Sequence, residues 1–147
     1  MSGATNQFNT GRDCSVVILH PLATNGRVDL PLVTDFDVKP SFHDIKSSAI
    51  DGYTRTQHIP DNLMLSFTVD RSTSVLDDLL AAIWQAYRAT GRVPDGSVYQ
   101  YINEINVSTT TRQFTGVAFK PDDLGSWKKD SAVSQKLSGT AMDFRVL

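Results

Sequence analysis

Apolar and polar residues alternate with a period of two along most of this chain, the spacing of a strand with one buried face. The alternation is clearest in LVTDFDVK, LMLSFTVD, QFTGVAFK and KLSGTAMDFRVL. The stretch SVVIL is apolar on both faces, and the ATNG turn that follows predicts a hairpin into residues 27–30. Together with VYQYINEINV, these segments predict about seven strands.

The period changes to that of a helix once, at about residues 74–90. Ser74 and Asp77 have the spacing of a capping box, and Gly91 is a typical helix stop. The apolar stripe consists of Leu76, Leu79, Leu80, Ile83 and Tyr87. We expect the aromatic side chains at its end, Trp84 and Tyr87, to fill the space between helix and sheet. The pattern predicts a mainly β fold, a β-sandwich or small barrel, with one flanking α-helix.

A polar, charge-mixed stretch, KPSFHDIKSSAIDGYTRTQHIP, interrupts the strand pattern. Pro40 is expected to end the strand before it. The stretch nevertheless contains more apolar residues than a free linker carries, namely Phe42, Ile45, Ile50, Tyr53 and Ile59. We interpret residues 40–62 as an extended arm that turns at Gly52 and becomes ordered when a neighbouring subunit is present.

Composition limits the classes of protein that the chain can belong to. At 147 residues and 40% hydrophobic content, it fits one domain over residues 1–147, with a flexible, polar N-terminal segment at 1–12. A formal net charge of -2 gives no sign of a surface that grips nucleic acid. Apolar runs are far shorter than the roughly 20 residues of a membrane-spanning helix, so we expect a soluble protein without a membrane anchor.

Few residues in the sequence are suited to catalysis or metal binding. The three histidines, His20, His43 and His58, match no metal-ligand spacing, and the single Cys14 heads an apolar run typical of a buried thiol. His43 and His58 are both in the arm and would meet if it folded as a hairpin, which leaves a hydrolase open as an alternative. We predict no catalytic residue, no metal site and no cofactor, and hence no enzyme.

The order of elements carries a resemblance to a known family. Strands are followed by a long polar excursion, then by a strand that runs into a helix through DRSTSVLDDLL, a PDGS turn and a terminal strand. This order, from Cys14 to Leu147, resembles the tail tube proteins of phages with contractile tails and the related tube protein of type VI secretion systems. The resemblance implies a structural protein of the virion tail, assembled in the host cytoplasm. It implies hexameric rings that stack into a tube, with sheath and baseplate proteins as partners and DNA passing through the lumen without specific binding.

The resemblance also assigns expected roles to particular residues. The arm would contact the next ring through His43, Asp44, Lys46, Asp51, Tyr53, Arg55 and His58. The lumen would be lined by Asp35, Asp37 and Lys39, which share one strand face. The polar connection from Pro121 to Ser134 is instead a departure from the family, and its Trp127, Lys128 and Lys129 are candidates for a neighbour contact made only by a specialised ring at the end of the tube.

Three other functions stay open at the level of sequence. The connection with Trp127 is compatible with a specialised tube-initiator or baseplate ring, and the element order is equally compatible with a secretion-system tube. A small-ligand-binding β-barrel, of a different class, would use Trp84, Trp127 and the tyrosines.

Overall fold

Eight strands and one helix form in the part of the chain that the computed structural model describes, residues 10, 13–23, 26–28, 33–105 and 108–147. The elements are β1 (Cys14–Leu19), β2 (Arg27–Val28), β3 (Val33–Ser48), β4 (Thr54–Asp70), α1 (Val75–Thr90), β5 (Gly96–Asn103), β6 (Thr109–Asp123), β7 (Ser134–Ala141) and β8 (Asp143–Val146). The predicted flexible N-terminal segment, residues 1–12, lies outside the described residues except for Thr10.

The strands form one antiparallel sheet in the order β2-β1-β5-β6-β7-β4-β3, with β8 paired to β6. The prediction of a mainly β fold with one helix is confirmed, and the sheet stays open rather than closing into a barrel. Strand β6 joins the two parts of the sheet, β2-β1-β5 and β7-β4-β3. Its first part pairs with β5 and β8, and its last part pairs with β7. Its register shifts near Gly116, which has a φ of 62°. A bulge of this kind bends a strand, which allows the sheet to curl around its core.

The eighth strand arises because the predicted C-terminal strand is divided at Met142. Met142 faces the bulge in β6, where a Cβ on Gly116 would lie 2.9 Å from its Sδ. The chain therefore changes direction at Met142, and β8 continues along the other part of β6.

Inward-facing positions of the alternating strands fill the core, as the period of two predicts. The largest fully buried apolar side chains are Ile18, Leu65, Phe67, Val69, Leu76, Val98, Phe114, Val117 and Leu137. Helix α1 contributes mainly through its first half, where Leu76 and Leu79 are buried. Burial therefore fades along the helix, and Trp84 and Tyr87 are 57% and 61% exposed. The prediction that these two aromatic residues fill the gap between helix and sheet is wrong.

The helix begins and ends at the expected residues, but its start is stabilised differently from the prediction. Ser74 is the N-cap without a side-chain cap hydrogen bond, and its hydroxyl instead donates to Asp78 at 3.0 Å. The capping box with Asp77 does not form, because that carboxylate accepts hydrogen bonds from Arg71. At the other end, the Gly91 N–H donates to the Tyr87 carbonyl at 2.7 Å with Gly91 in the left-handed conformation, as a glycine stop requires.

Strand β3 does not end at Pro40 as predicted, but continues to Ser48. Among the described strands it is the last of the sheet and pairs only with β4, so one of its edges has no sheet partner in that part of the chain. A proline, which has no N–H to donate, is tolerated on such an edge. The predicted turn at Gly52 is confirmed, with a φ of 87°.

Candidate assembly surfaces

A two-stranded arm, formed by β3 and β4, projects from the sheet at the point where β4 is no longer paired with β7. Strand β4 pairs with β7 only from Leu63 to Asp70, whereas its pairing with β3 extends to Ser48 and Thr54. The arm beyond Leu63 is about nine residues long, or about 30 Å at the rise of a strand. Every side chain from 42 to 48 and from 50 to 58 is exposed. The arm therefore adds almost nothing to the core.

The tip of the arm is a tight turn held by its own polar groups. The Gly52 N–H donates to the Ala49 carbonyl at 3.1 Å, and the Ala49 N–H donates to the Tyr53 carbonyl at 3.0 Å. The Asp51 carboxylate accepts from the Tyr53 N–H at 3.1 Å and forms an ion pair with Arg55 at 3.2 Å. Two apolar side chains, Ile50 and Tyr53, stand in solvent at this turn.

The pairing of the arm separates its two histidines. His43 lies opposite Ile59, whereas His58 lies opposite Asp44, one position further along the hairpin. Since neighbouring positions of a strand point to opposite faces, the two imidazoles are on different faces of the arm. His58 Nδ1 instead contacts the Asp44 carboxylate. The meeting of His43 and His58, on which the hydrolase alternative depends, does not occur.

The three residues predicted to line a lumen lie on the outer face of the sheet. Asp35, Asp37 and Lys39 are exposed on β3, and the Lys39 Nζ lies 3.6 Å from the Asp37 carboxylate. The pairing continues this face across β4 and β7 through Met64, Ser66, Thr68, Lys136, Ser138 and Thr140. The face is thus mainly polar, with lysines beside the carboxylates and with one exposed apolar side chain, Met64, between Lys39 and Thr140. It is the side opposite to the core and to α1.

The connection between β6 and β7 carries the residues that were predicted to contact a neighbour. Trp127 is 70% exposed, and Lys128 and Lys129 beside it are exposed as well. The guanidinium of Arg71 lies 5.3 Å from the centroid of the Trp127 ring, a cation–π distance. Trp127 is therefore held against its own chain on one side and open to solvent on the other.

A polar network that the sequence analysis missed fixes this connection to the helix. Asp77 accepts hydrogen bonds from Arg71 at 2.9 and 3.3 Å and from Gln135 Nε2 at 3.1 Å. Gln135 is buried, and its Nε2 also donates to the Leu124 carbonyl at 2.9 Å. The network joins the start of α1, β7 and the connection. A signal was present in the alternation of β7, which puts Gln135 on the same inward face as Leu137.

His20 is a second buried polar group that the sequence analysis assigned only to a strand end. Its Nδ1 accepts a hydrogen bond from the Leu22 N–H at 3.1 Å, and its ring packs edge-on against Phe119. Its Nε2 is buried without a hydrogen-bond partner among the described residues. Desolvation by burial lowers the pKa of His20 below its ordinary value of 6.5, so the neutral imidazole is favoured.

The described residues offer little for chemistry or for ligand binding in the interior. Within those residues, no three His, Cys, Asp or Glu side chains are grouped closely enough to hold a metal ion. Phe67, Phe114 and Leu137 fill the space that a ligand-binding barrel would keep open. Among the described segments, no helix has the length and apolar character needed to cross a membrane.

Solved structures share this fold of an open, curled antiparallel sheet with one helix over nearly the whole chain. A chain of an extracellular contractile injection system, in the PVC sheath-tube complex in its extended state, aligns with a TM-score of 0.62 at 8% identity, covering 98% of this chain and 94% of that one. A chain of the anti-feeding prophage cap, the AFP tube terminating cap, aligns with a TM-score of 0.65 at 10% identity, covering 97% and 92%.

Particles of another kind contain the same fold. A chain of the tail of an empty gene transfer agent particle, with C6 symmetry, aligns with a TM-score of 0.53 at 8% identity, covering 95% of this chain and 98% of that one. The sequence itself matches no protein-family model, and a search of curated proteins finds no significant match. The shared fold confirms the architecture that the order of elements predicted, a tube-like fold of contractile tails.

Proposed function

We propose that this chain is a structural, non-enzymatic subunit of a tail tube, forming hexameric rings that stack into a hollow tube. The observation that carries the proposal is a fold shared over 98% of this chain with a chain of a sheath-tube complex. Sixfold order is supported by the C6 symmetry of the gene transfer agent tail and by the sixfold symmetrised baseplate of the anti-feeding prophage, whose chain aligns with a TM-score of 0.57. The protein would assemble in the host cytoplasm and reside in the tail, with sheath and baseplate proteins around it.

The arm makes the contact with the next ring in this proposal. It projects about one strand length beyond the body and buries almost none of its side chains, so its surface is available to a second copy. Its polar contacts would come from His43, Asp44, Lys46, Asp51, Tyr53, Arg55 and His58. Two of these charges, Asp51 and Arg55, already neutralise each other within the arm. The arm can therefore be buried at a lower cost than isolated charges would impose.

The outer face of β3, β4 and β7 lines the lumen in this proposal. Asp35, Asp37 and Lys39 lie on this face, which points away from the core and the helix. Mixed charges and short hydroxyl side chains give DNA no continuous cationic surface to neutralise its phosphates. Such a wall would let DNA slide through without specific binding.

A specialised ring at the end of a tube is the second candidate. It is favoured by the likeness to the terminating cap, which has a TM-score of 0.65 against 0.62 for the sheath-tube chain. The exposed connection with Trp127, Lys128 and Lys129 would then meet a protein that occurs only there. A tube that carries a protein cargo, as in a secretion system, fits the same fold and the same polar face.

Negative-stain electron microscopy of the purified protein tests the proposal. A main tube subunit should give stacked rings of open-ended length at high concentration, whereas an end ring should give single rings that do not grow. A protein that stays monomeric at every concentration, alone and with purified sheath and baseplate proteins, would refute both forms.

A further inference from the structure

An apolar groove lies at the root of the arm, where the sheet divides. Strand β4 keeps its pairing to β7 only as far as Leu63 opposite Ala141, and β8 continues along β6 instead. The groove between them has a volume of about 320 Å³ and is lined by residues that include Phe42, Leu63, Met142 and Phe144. Met142 is 75% exposed and Phe42 55% exposed, so no part of the chain within the described ranges covers the groove.

The groove wall is a fixed surface rather than a set of free side chains. The ring of Phe144 stacks on the buried Phe114 with centroids 5.1 Å apart. Met142 sits against the bulge at Gly116 and donates its N–H to the Thr115 carbonyl at 3.1 Å. A binding surface held in this way loses little conformational entropy when a partner docks.

The tip of the arm carries exposed apolar side chains that cannot reach the groove of the same chain. Ile50, at the tip of the arm, is fully exposed, and Tyr53 in the same turn and Ile45 further from the tip are also exposed. Pairing of the two arm strands runs to Ser48 and Thr54, which holds the tip about 30 Å from the root. Exposed apolar surface at two separate places of one chain indicates protein contacts.

We propose that the arm tip of one copy docks in the root groove of the next copy. This inference deepens the proposed function, on which it rests, by naming the surface that receives the arm. The body of β4, from Leu63 to Asp70, spans about 26 Å, close to the length of the arm. In a stack of copies in one orientation, the tip of one arm reaches the level of the next root.

The charges and the symmetry of the contact agree with the arm tip of a second copy as the occupant of the groove. Lys46 on the arm and Asp61 at the groove form no ion pair with any residue in the described ranges, and their charges are opposite. A contact between two different patches of identical copies gives a closed ring when its rotation closes and an open-ended assembly when it does not. For copies stacked in one orientation the result is a polar, open-ended stack. One docking contact per copy would thus cover both exposed apolar surfaces throughout the stack.

A mixing experiment tests the direction of the contact. Ile50→Asp disables the tip and leaves the groove intact, whereas Met142→Asp disables the groove and leaves the tip intact. Each variant alone should stack about thirty-fold more weakly than the wild type, as for loss of a central apolar contact. An equimolar mixture of preformed rings, each made of one variant alone, should form pairs of rings that do not grow, because one intact set of tips meets one intact set of grooves. Mass photometry and electron microscopy distinguish single rings, pairs and long stacks.

Controls separate docking from folding. Ala81→Asp puts the same charge on an exposed position of α1 and should stack like the wild type. Since Ile50 and Met142 are exposed, both variants should keep the wild-type melting temperature. In a Cys14→Ser background, a copy with Ile50→Cys and a copy with Met142→Cys should form a disulfide-linked dimer, and neither should do so alone.

The outcomes distinguish the inference from the function on which it rests. Wild-type tubes that persist in both single variants, or single variants that fail to complement each other, would overturn the docking inference and leave the tube function standing. Wild-type protein that forms no rings would refute the tube function. The cysteine pair at high concentration still decides the docking contact in that case, since cross-linking supports it and its absence overturns it.

Discussion

Replacing Asp77 with alanine should destabilise the fold more than the same replacement of Asp78, the other carboxylate in the first turn of the helix. The substitution removes two hydrogen bonds from Arg71 and one from Gln135, whose Nε2 keeps only the Leu124 carbonyl. Hydrogen bonds to a charged group contribute about 1.5–3 kcal/mol each. The Arg71 and Asp77 side chains are 26% and 36% exposed, so screening reduces the ion-pair share. We expect a loss of about 2–3 kcal/mol in the free energy of unfolding.

Asp78→Ala is the matched control for this substitution. Asp78 is also a carboxylate in the first turn of α1, but it accepts only from the exposed Ser74 hydroxyl. Its loss should cost only the helix-dipole interaction, about 0.3–1 kcal/mol. Changes in helix propensity are the same for both substitutions and cancel in the comparison.

Urea unfolding below the assembly concentration measures both variants, and fluorescence provides a second readout. In a Trp84→Phe background, Trp127 is the remaining tryptophan of the two in the sequence. Its emission should change with Asp77→Ala as Arg71 loses its anchor, and should not change with Asp78→Ala. Equal unfolding free energies for the two variants, within about 0.5 kcal/mol, would show that the network contributes nothing beyond the dipole.

Three further changes address the arm, the buried histidine and the polar face. Deletion of residues 47–56 should leave the melting temperature unchanged and abolish stacking, since these side chains are almost all exposed; unfolding of the body would contradict the separation of arm and core. Because burial lowers the pKa of His20 below 6.5, the unfolded chain binds the proton first, so stability should fall as pH drops below that value. His20→Asn, which keeps an acceptor for the Leu22 N–H, should show a smaller fall in urea midpoint between about pH 7.5 and 5.5; equal falls would show that other groups cause it. The double substitution Asp35→Lys with Asp37→Lys should make assembled tubes retain double-stranded DNA in a salt-dependent manner. Retention equal to that of the wild type would show that this face does not line the lumen.

The elements of the body could be predicted because each is specified by a local period. The strand alternation of LMLSFTVD predicts Leu65, Phe67 and Val69 as buried positions, and all three are core residues. The helix bounds follow from Ser74 and Gly91 in the same way. These signals are local because side-chain direction depends only on the backbone period.

Predictions failed where partners distant in sequence decide the outcome. A proline interrupts a central strand but is tolerated in an edge strand. Pro40 lies in an edge strand because β3 pairs with β4 alone among the described strands. Asp77 has the spacing of a capping residue, yet Arg71 and the distant Gln135 take its carboxylate. The root groove depends on the division of the last strand at Met142, which faces a bulge in another strand. No sequence period contains this information.

The two parts of β4 differ in burial. One part stabilises the fold of the chain, and the other part is exposed and available for contacts with other molecules. From Leu63 to Asp70 the strand has partners on both sides and supplies Leu65, Phe67 and Val69 to the core. From Thr54 to residue 62 the same strand has one partner and supplies no fully buried side chain. Substitutions in the second part should therefore have little effect on unfolding, because the free energy of folding depends on buried apolar area. A single long strand thus extends from the core into an exposed arm, and the proposed contact between copies depends on the surface of that arm.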